Sequence, residues 1–125
     1  MDFDELLSIA KKKVSERRIS REATAGTVAA ALLSAKGNVY VGVCIDTPAG
    51  MGFCAEHSAI AAMITAGESH IVKMVATGVD DEYACAPCGR CREFIIVVHD
   101  ENYRCEVLLE DGSVTTIEKL LPYRL

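Results

Sequence analysis

Val28-Ala29-Ala30-Ala31-Leu32-Leu33-Ser34-Ala35-Lys36-Gly37-Asn38-Val39-Tyr40-Val41-Gly42-Val43 is the stretch on which the fold turns. Val28 to Leu33 is a short apolar run, and Asn38 to Val43 alternates with Val39, Val41 and Val43 on one face. Ala35-Lys36-Gly37 joins them as a turn, so the stretch predicts a β-hairpin. Upstream, Phe3, Leu6, Leu7, Ala10 and Val14 fall at helical spacing and predict a helix to about Glu16, with Asp2 and Glu5 three apart as a capping box. Downstream, after the loop Thr47-Pro48-Ala49-Gly50-Met51-Gly52, Cys54 to Ala66 predicts a helix ended by Gly67, then a strand at Ile71 to Thr77. A second loop, Gly78 to Pro87, leads to a helix over Cys88 to His99, a strand over Arg104 to Leu109, a turn at Asp111-Gly112, and a short helix from Ile117 to Leu121 stopped by Pro122. The order α-β-β-α-β-α-β-α predicts an α/β fold in which helices cover a mixed sheet.

The chain has 125 residues and 13.5 kDa, room for one domain over 1–125 and hardly for two. Half of it is hydrophobic and a quarter charged, so it carries the apolar content of a globular chain rather than a disordered one. A chain of this size buries on the order of two thirds of its unfolded surface and needs no disulfide staples. Its six cysteines therefore require another explanation. Thirteen Lys and Arg against eighteen Asp and Glu give a formal charge of -5, with the signs interspersed. That balance argues against a nucleic acid polymer as partner, because such binding rests on a basic surface. The start, Met1-Asp2-Phe3-Asp4-Glu5, is acidic where a signal peptide is basic, and no apolar run approaches the roughly 18 residues of a membrane span. A soluble, cytoplasmic protein is the expectation. In a reducing cytosol, cysteines serve as metal ligands, redox groups or small core residues rather than disulfides.

Two cysteine-bearing segments stand where a loop enters a helix: Cys54-Ala55-Glu56 and Pro87-Cys88-Gly89-Arg90-Cys91. In the second, a spacing of three places both thiols on one helical face. Taken alone, Cys-x-x-Cys fits a redox pair, half of a structural zinc site, or coincidence. The first segment adds a third sulfur and a carboxylate two residues on. Together they offer a metal three thiolates with a fourth position open, the layout of a catalytic zinc site. Helix N-termini favour anionic sulfur through their exposed N–H groups and dipole. Three thiolates on Zn²⁺ still leave a formal charge of about -1, which opposes ionisation of water. Arg92 is the nearest compensating cation in sequence.

These residues resemble the cytidine deaminase superfamily, whose zinc signature carries a glutamate that is not a ligand. Ala29-Ala30-Ala31-Leu32, Gly42-Val43 and Leu120-Leu121-Pro122 extend the likeness to the small homotetrameric cytidine and blasticidin S deaminases, over nearly the whole chain. The resemblance implies a three-layer α-β-α sandwich with a mixed, five-stranded type of sheet. It implies one Zn²⁺ per chain, with Cys54, Cys88 and Cys91 as ligands and Glu56 as proton shuttle. It also implies that the Ala55 backbone and the Pro87 carbonyl hold the ring carbonyl and the leaving amine, and that the substrate is a small molecule of the cytidine or deoxycytidine kind.

The chain departs from the family pattern at several positions. His57 stands where an arginine is usual after the glutamate, and Glu93 where a glutamine follows Cys-Arg. An imidazole has fewer donors than a guanidinium, so more of the thiolate charge would fall to Arg92 and the helix ends. In the loop that binds ribose in the family, an Asn-x-Glu falls at Cys44-Ile45-Asp46. Family aromatic positions fall near Gly26 and at Leu125, which predicts thinner stacking on the base. Blasticidin S or another amino-heterocycle is therefore an alternative substrate, and a zinc-stabilised scaffold without turnover an alternative of another class. Cys44 and Cys105 read otherwise as small core residues, and Cys85 as a possible fourth thiol.

Overall fold

The computed structural model describes residues 1–125. The first helix, α1 (Phe3–Lys13), begins at Asp2, whose Oδ1 accepts the Glu5 N–H at 2.9 Å, one half of the predicted capping box. Acidic residues occupy its first turn and Lys11 to Lys13 its last, matching the helix dipole. It stops short of Glu16 because Val14 is already extended, at φ -62° and ψ 121°, and the chain runs into a two-residue strand, β1 (Arg17–Arg18).

The hairpin is present as β2 (Thr24–Ser34) and β3 (Val39–Asp46). Strand β2 begins earlier than Val28 because Thr24 and Ala25 pair with Asp46 and Ile45, beyond a register shift between Ala25 and Ala29. Ala25 pairs with Ile45 in β3 and also with Arg17 in β1. Strand β4 (Ile71–Gly78) runs antiparallel to β2 and parallel to β5 (Glu106–Leu108), which pairs in turn with β6 (Val114–Thr116). The mixed sheet thus has six strands rather than five, the additional one being β1.

Alternation along the strands sends successive side chains to opposite faces. Ala31, Val75 and Leu108 bury against Leu6, Leu7 and Ala10 of α1. Their neighbours Ala30, Leu32, Met74, Ala76 and Val107 bury on the other face, against α2 (Ala55–Thr65), α3 (Gly89–Val97) and α4 (Ile117–Leu120). Three layers result, as the resemblance implied. Each fully buried Leu, Ile or Val contributes roughly 1.5–3 kcal/mol, so Leu6 and Leu7 hold α1 to the sheet against the entropy of ordering it.

Two features fix the layer that carries the cysteines. Gly42 lets β3 pass close to α2, since a Cβ there would collide with Ser58 and the Ala59 backbone. Asn102, fully buried, accepts from the Ile71 N–H at 2.8 Å and donates to the carbonyls of Ser69 at 3.0 Å and Ile95 at 2.9 Å. It thereby ties β4, the loop before it and the end of α3 together. No helix is long and apolar enough to cross a membrane.

Candidate active site

Helices α2 and α3 present their N-termini to one another. Cys54 and Cys88 are their N-cap residues, both with extended backbone, and Cys91 lies in the first turn of α3. This placement leaves each sulfur outside the helix barrel while the free N–H groups of two helix starts surround them. Cys54 Sγ lies 3.5 Å from Cys88 Sγ, and Cys88 Sγ lies 3.4 Å from Cys91 Sγ. All three sulfurs fall within 4.8 Å of one another. Tetrahedral zinc with thiolate bonds near 2.3 Å needs sulfurs about 3.8 Å apart, so the trio fits the ion with little adjustment, and three soft donors suit it.

The thiols do not share one environment. Burial pushes Cys54 up, reinforced by the Cys88 thiol. Burial also pushes Cys91 up, the Glu56 carboxylate adding to the effect. Cys88 moves the other way: burial opposes it, but the backbone N–H of Cys91 and the neighbouring thiols outweigh that cost and pull it below the ordinary range. Three anionic sulfurs this close repel one another, so a cation between them is what lets all three ionise together. The cluster is built for a positive ion.

Glu56, on the first turn of α2, is 4% exposed and lines the cleft in front of the sulfurs. Burial holds its carboxyl above the usual carboxylate range, against the lowering pull of its own backbone N–H and of Cys91. His57 stacks on Phe94, ring centroids 4.4 Å apart and planes 9° from parallel, and its Nδ1 lies 3.4 Å from Cys91 Sγ. Burial, and then the charge of Arg90, lower its pKa and favour the neutral ring. Once Cys91 is ionised, Nδ1–H is the donor of that contact.

Arg92 differs from expectation. Its Nε donates to the Pro87 carbonyl at 2.8 Å and its guanidinium to the Leu120 carbonyl at 3.1 Å, so its bonds hold a loop and α4 rather than a sulfur. Adjacent helical residues point about 100° apart, so Arg92, although next to Cys91 in sequence, gives its hydrogen bonds to other partners. Pro87 is buried, and its carbonyl already accepts this bond.

A cleft of about 530 Å³, within the size range of small-molecule sites, opens in front of the cluster. Of the residues expected to bind substrate, Cys44, Asp46 and Ala55 line it and Pro87 does not. Cys44 is only 7% exposed, and its sulfur accepts the Val28 N–H at 3.3 Å where the β2–β3 register slips. Its thiol is 3.9 Å from Asp46 Oδ2. Cys85 lines the cleft but stands outside the three-sulfur group, its thiol pushed up to about 12 by burial and by Asp81. The sequence reading did not assign Thr27, Val28, Thr47, Phe53 and Arg90 to this lining. For Phe53 a signal existed, since the residue before a metal ligand has to lie near the metal.

Residues 2–106 match the family model described as the cytidine and deoxycytidylate deaminase zinc-binding region. A probable cytidine deaminase of Dictyostelium discoideum is 30% identical over 97 residues, covering 76% of this chain and 65% of that relative. Cytidine deaminase from Mycobacterium leprae superposes with a TM-score of 0.80 at 25% identity, over 98% of this chain and 99% of its own. The enzyme from Burkholderia pseudomallei does so with a TM-score of 0.78 at 27% identity, over 100% of both chains. The Mycobacterium tuberculosis cytidine deaminase, at 22% identity, superposes with a TM-score of 0.82 and supports the fold alone. A match over most of the chain, joined to three sulfurs gathered at two helix starts, makes zinc the cofactor and places this chain in the cytidine and deoxycytidylate deaminase zinc-binding family.

Proposed function

We propose that one domain, residues 1–125, is a zinc-dependent hydrolytic deaminase of a cytosine-type aminopyrimidine nucleoside, taking cytidine or deoxycytidine and water to uridine or deoxyuridine and ammonia. The observation that carries this reading is Glu56, a buried carboxylate lining the cleft beside a three-thiol cluster of which Cys54 and Cys88 line the same cleft. Cys54, Cys88 and Cys91 would hold the zinc, which when bound supplies the Lewis acidity that makes water nucleophilic near neutral pH. Glu56 takes the proton of the attacking water. It passes it to the ring nitrogen as the carbon–oxygen bond forms, then takes the remaining proton of the added hydroxyl and delivers it to the amino group as the carbonyl forms, the carbon–nitrogen bond breaks and ammonia leaves. Desolvation suits that task, because a carboxyl held above its ordinary range takes up a proton more readily than an exposed one. His57 offsets charge at Cys91, and Arg92 fixes the Pro87 segment that leads into Cys88.

Cys44 supports a second reading of the substrate. Its sulfur already serves the Val28 N–H, which leaves Asp46 and Thr47 as the polar side chains lining the cleft at the end of β3, where the family pattern has an asparagine and a glutamate, and weakens the case for a tightly held ribose. Blasticidin S, or another amino-heterocycle, is the alternative. The reading extends to a cytoplasmic enzyme, supported by six free thiols, and to a homotetramer, supported by Ile64 on the outer face of α2 and by Tyr123 and Leu125, all exposed. Light scattering reporting a monomer would remove the tetramer.

The test of function is ammonia release by zinc-loaded protein from cytidine, deoxycytidine, cytosine, blasticidin S and related amino-heterocycles. Turnover of at least one cytosine-ring compound is expected. Stable zinc binding with no ammonia from any of them would favour a non-catalytic scaffold.

A further inference from the structure

We propose that Phe53 forms an aromatic wall of the cleft on which the substrate's flat heterocycle packs, making it a specificity-determining residue for the ring rather than the sugar. This rests on the deaminase reading above. Phe53 is the sole aromatic side chain lining the cleft. It is half-buried, yet its ring belongs to neither hydrophobic core, so its apolar surface is not used to hold the layers together. An aromatic ring carries one of the largest apolar surfaces of any side chain, and one left outside the core beside a cleft is matched to something that enters the cleft.

The backbone around Phe53 is fixed. Its N–H donates to the Ile45 carbonyl and its carbonyl accepts from the Ile45 N–H, both at 3.0 Å, a reciprocal pair that extends the edge of β3. Gly52 makes that approach possible, because a Cβ there would strike the Ile45 carbonyl. The residue following Phe53 is the Cys54 ligand, and Ala55 and Glu56 come next, all lining the same cleft. One short segment thus carries the aromatic surface, a metal ligand and the proton shuttle, and the rigid pairing with Ile45 sets the ring relative to both. A planar heterocycle placed for attack beside Glu56 lies within reach of this surface. Aromatic surfaces bind flat π-systems with little regard for their substituents, while at the adjoining end of β3 the Cys44 sulfur is already engaged by the Val28 N–H.

The test is a proton NMR titration of zinc-loaded protein with cytidine and with cytosine, followed by steady-state kinetics on Phe53→Leu and Phe53→Tyr. Wild-type protein should shift the ligand's ring protons upfield and give cross-relaxation between them and the Phe53 ring, a readout that needs no variant to fold. Phe53→Leu should abolish the shift and raise KM about 10-fold, with kcat within about threefold and zinc content unchanged. Phe53→Tyr should restore both. Absence of cross-relaxation in the wild type, or a Phe53→Leu protein with unaltered KM, overturns the proposal. So does a loss of kcat and zinc without a change in KM, which would make Phe53 structural. Ammonia release by a wild type that shows no Phe53 contact leaves the deaminase reading intact and removes only this one, whereas ring binding at Phe53 without ammonia does the reverse.

Discussion

Side chains separated by a few residues on one helix start were legible before any coordinates, and those acting across the fold were not. Cys88 and Cys91 share a helical face by spacing alone, and Cys54 and Glu56 stand together at the start of α2. The structure adds that the three thiols differ, Cys88 being the one inclined to ionise first. Removing it takes away a ligand and the sulfur that lies within 3.5 Å of both others. Cys88→Ala should therefore lower zinc from about one ion per chain to near zero by elemental analysis after dialysis. Full occupancy in that variant would show that the ligand set is wrong. Arg92 illustrates the opposite case. Its position next to Cys91 suggested charge compensation, but a side chain's direction on a helix decides its partner, and the guanidinium binds carbonyls of Pro87 and Leu120. His57, whose neighbour in sequence is the proposed shuttle Glu56, is the one that touches a sulfur.

Elements with a strong period were equally legible. The hairpin and the helices α1, α2 and α3 lie where apolar spacing and the stops at Ala35-Lys36-Gly37 and Gly67 put them, with ends moved by a few residues. Strands β1 and β6 were not, because two exposed arginines and a Val-Thr-Thr run carry no alternation to read; pairing with longer neighbours makes them strands. Asn102 was equally silent, since nothing local distinguishes it from a loop asparagine. Its burial and three bonds make it the polar joint of the α3 side of the sheet. Asn102→Ala leaves the Ile71 N–H and two carbonyls buried without partners, at about 1–3 kcal/mol for each group left unsatisfied. A loss of roughly 3 kcal/mol, read as a lower urea midpoint with an unchanged m-value, is expected. A change under about 0.5 kcal/mol would mean that water replaces the amide there.

At the scale of the molecule, two helix N-termini from different parts of the chain are brought together on one face of the sheet, and the cleft opens where β3, α2 and the loop before α3 meet. The cleft, of about 530 Å³, is on the scale of sites for small molecules. In the proposed reading this arrangement serves catalysis through Glu56 rather than merely holding a metal. The measurement that tests it most directly is the rate of ammonia release by a Glu56→Gln protein carrying one zinc per chain, on the best substrate of the wild type. The amide keeps the shape of the side chain but cannot shuttle a proton, so the rate should fall by about 10² to 10⁴ or more while zinc and fold persist. A zinc-loaded Glu56→Gln protein that retained a tenth of the wild-type rate would contradict the account and leave Glu56 a structural carboxylate.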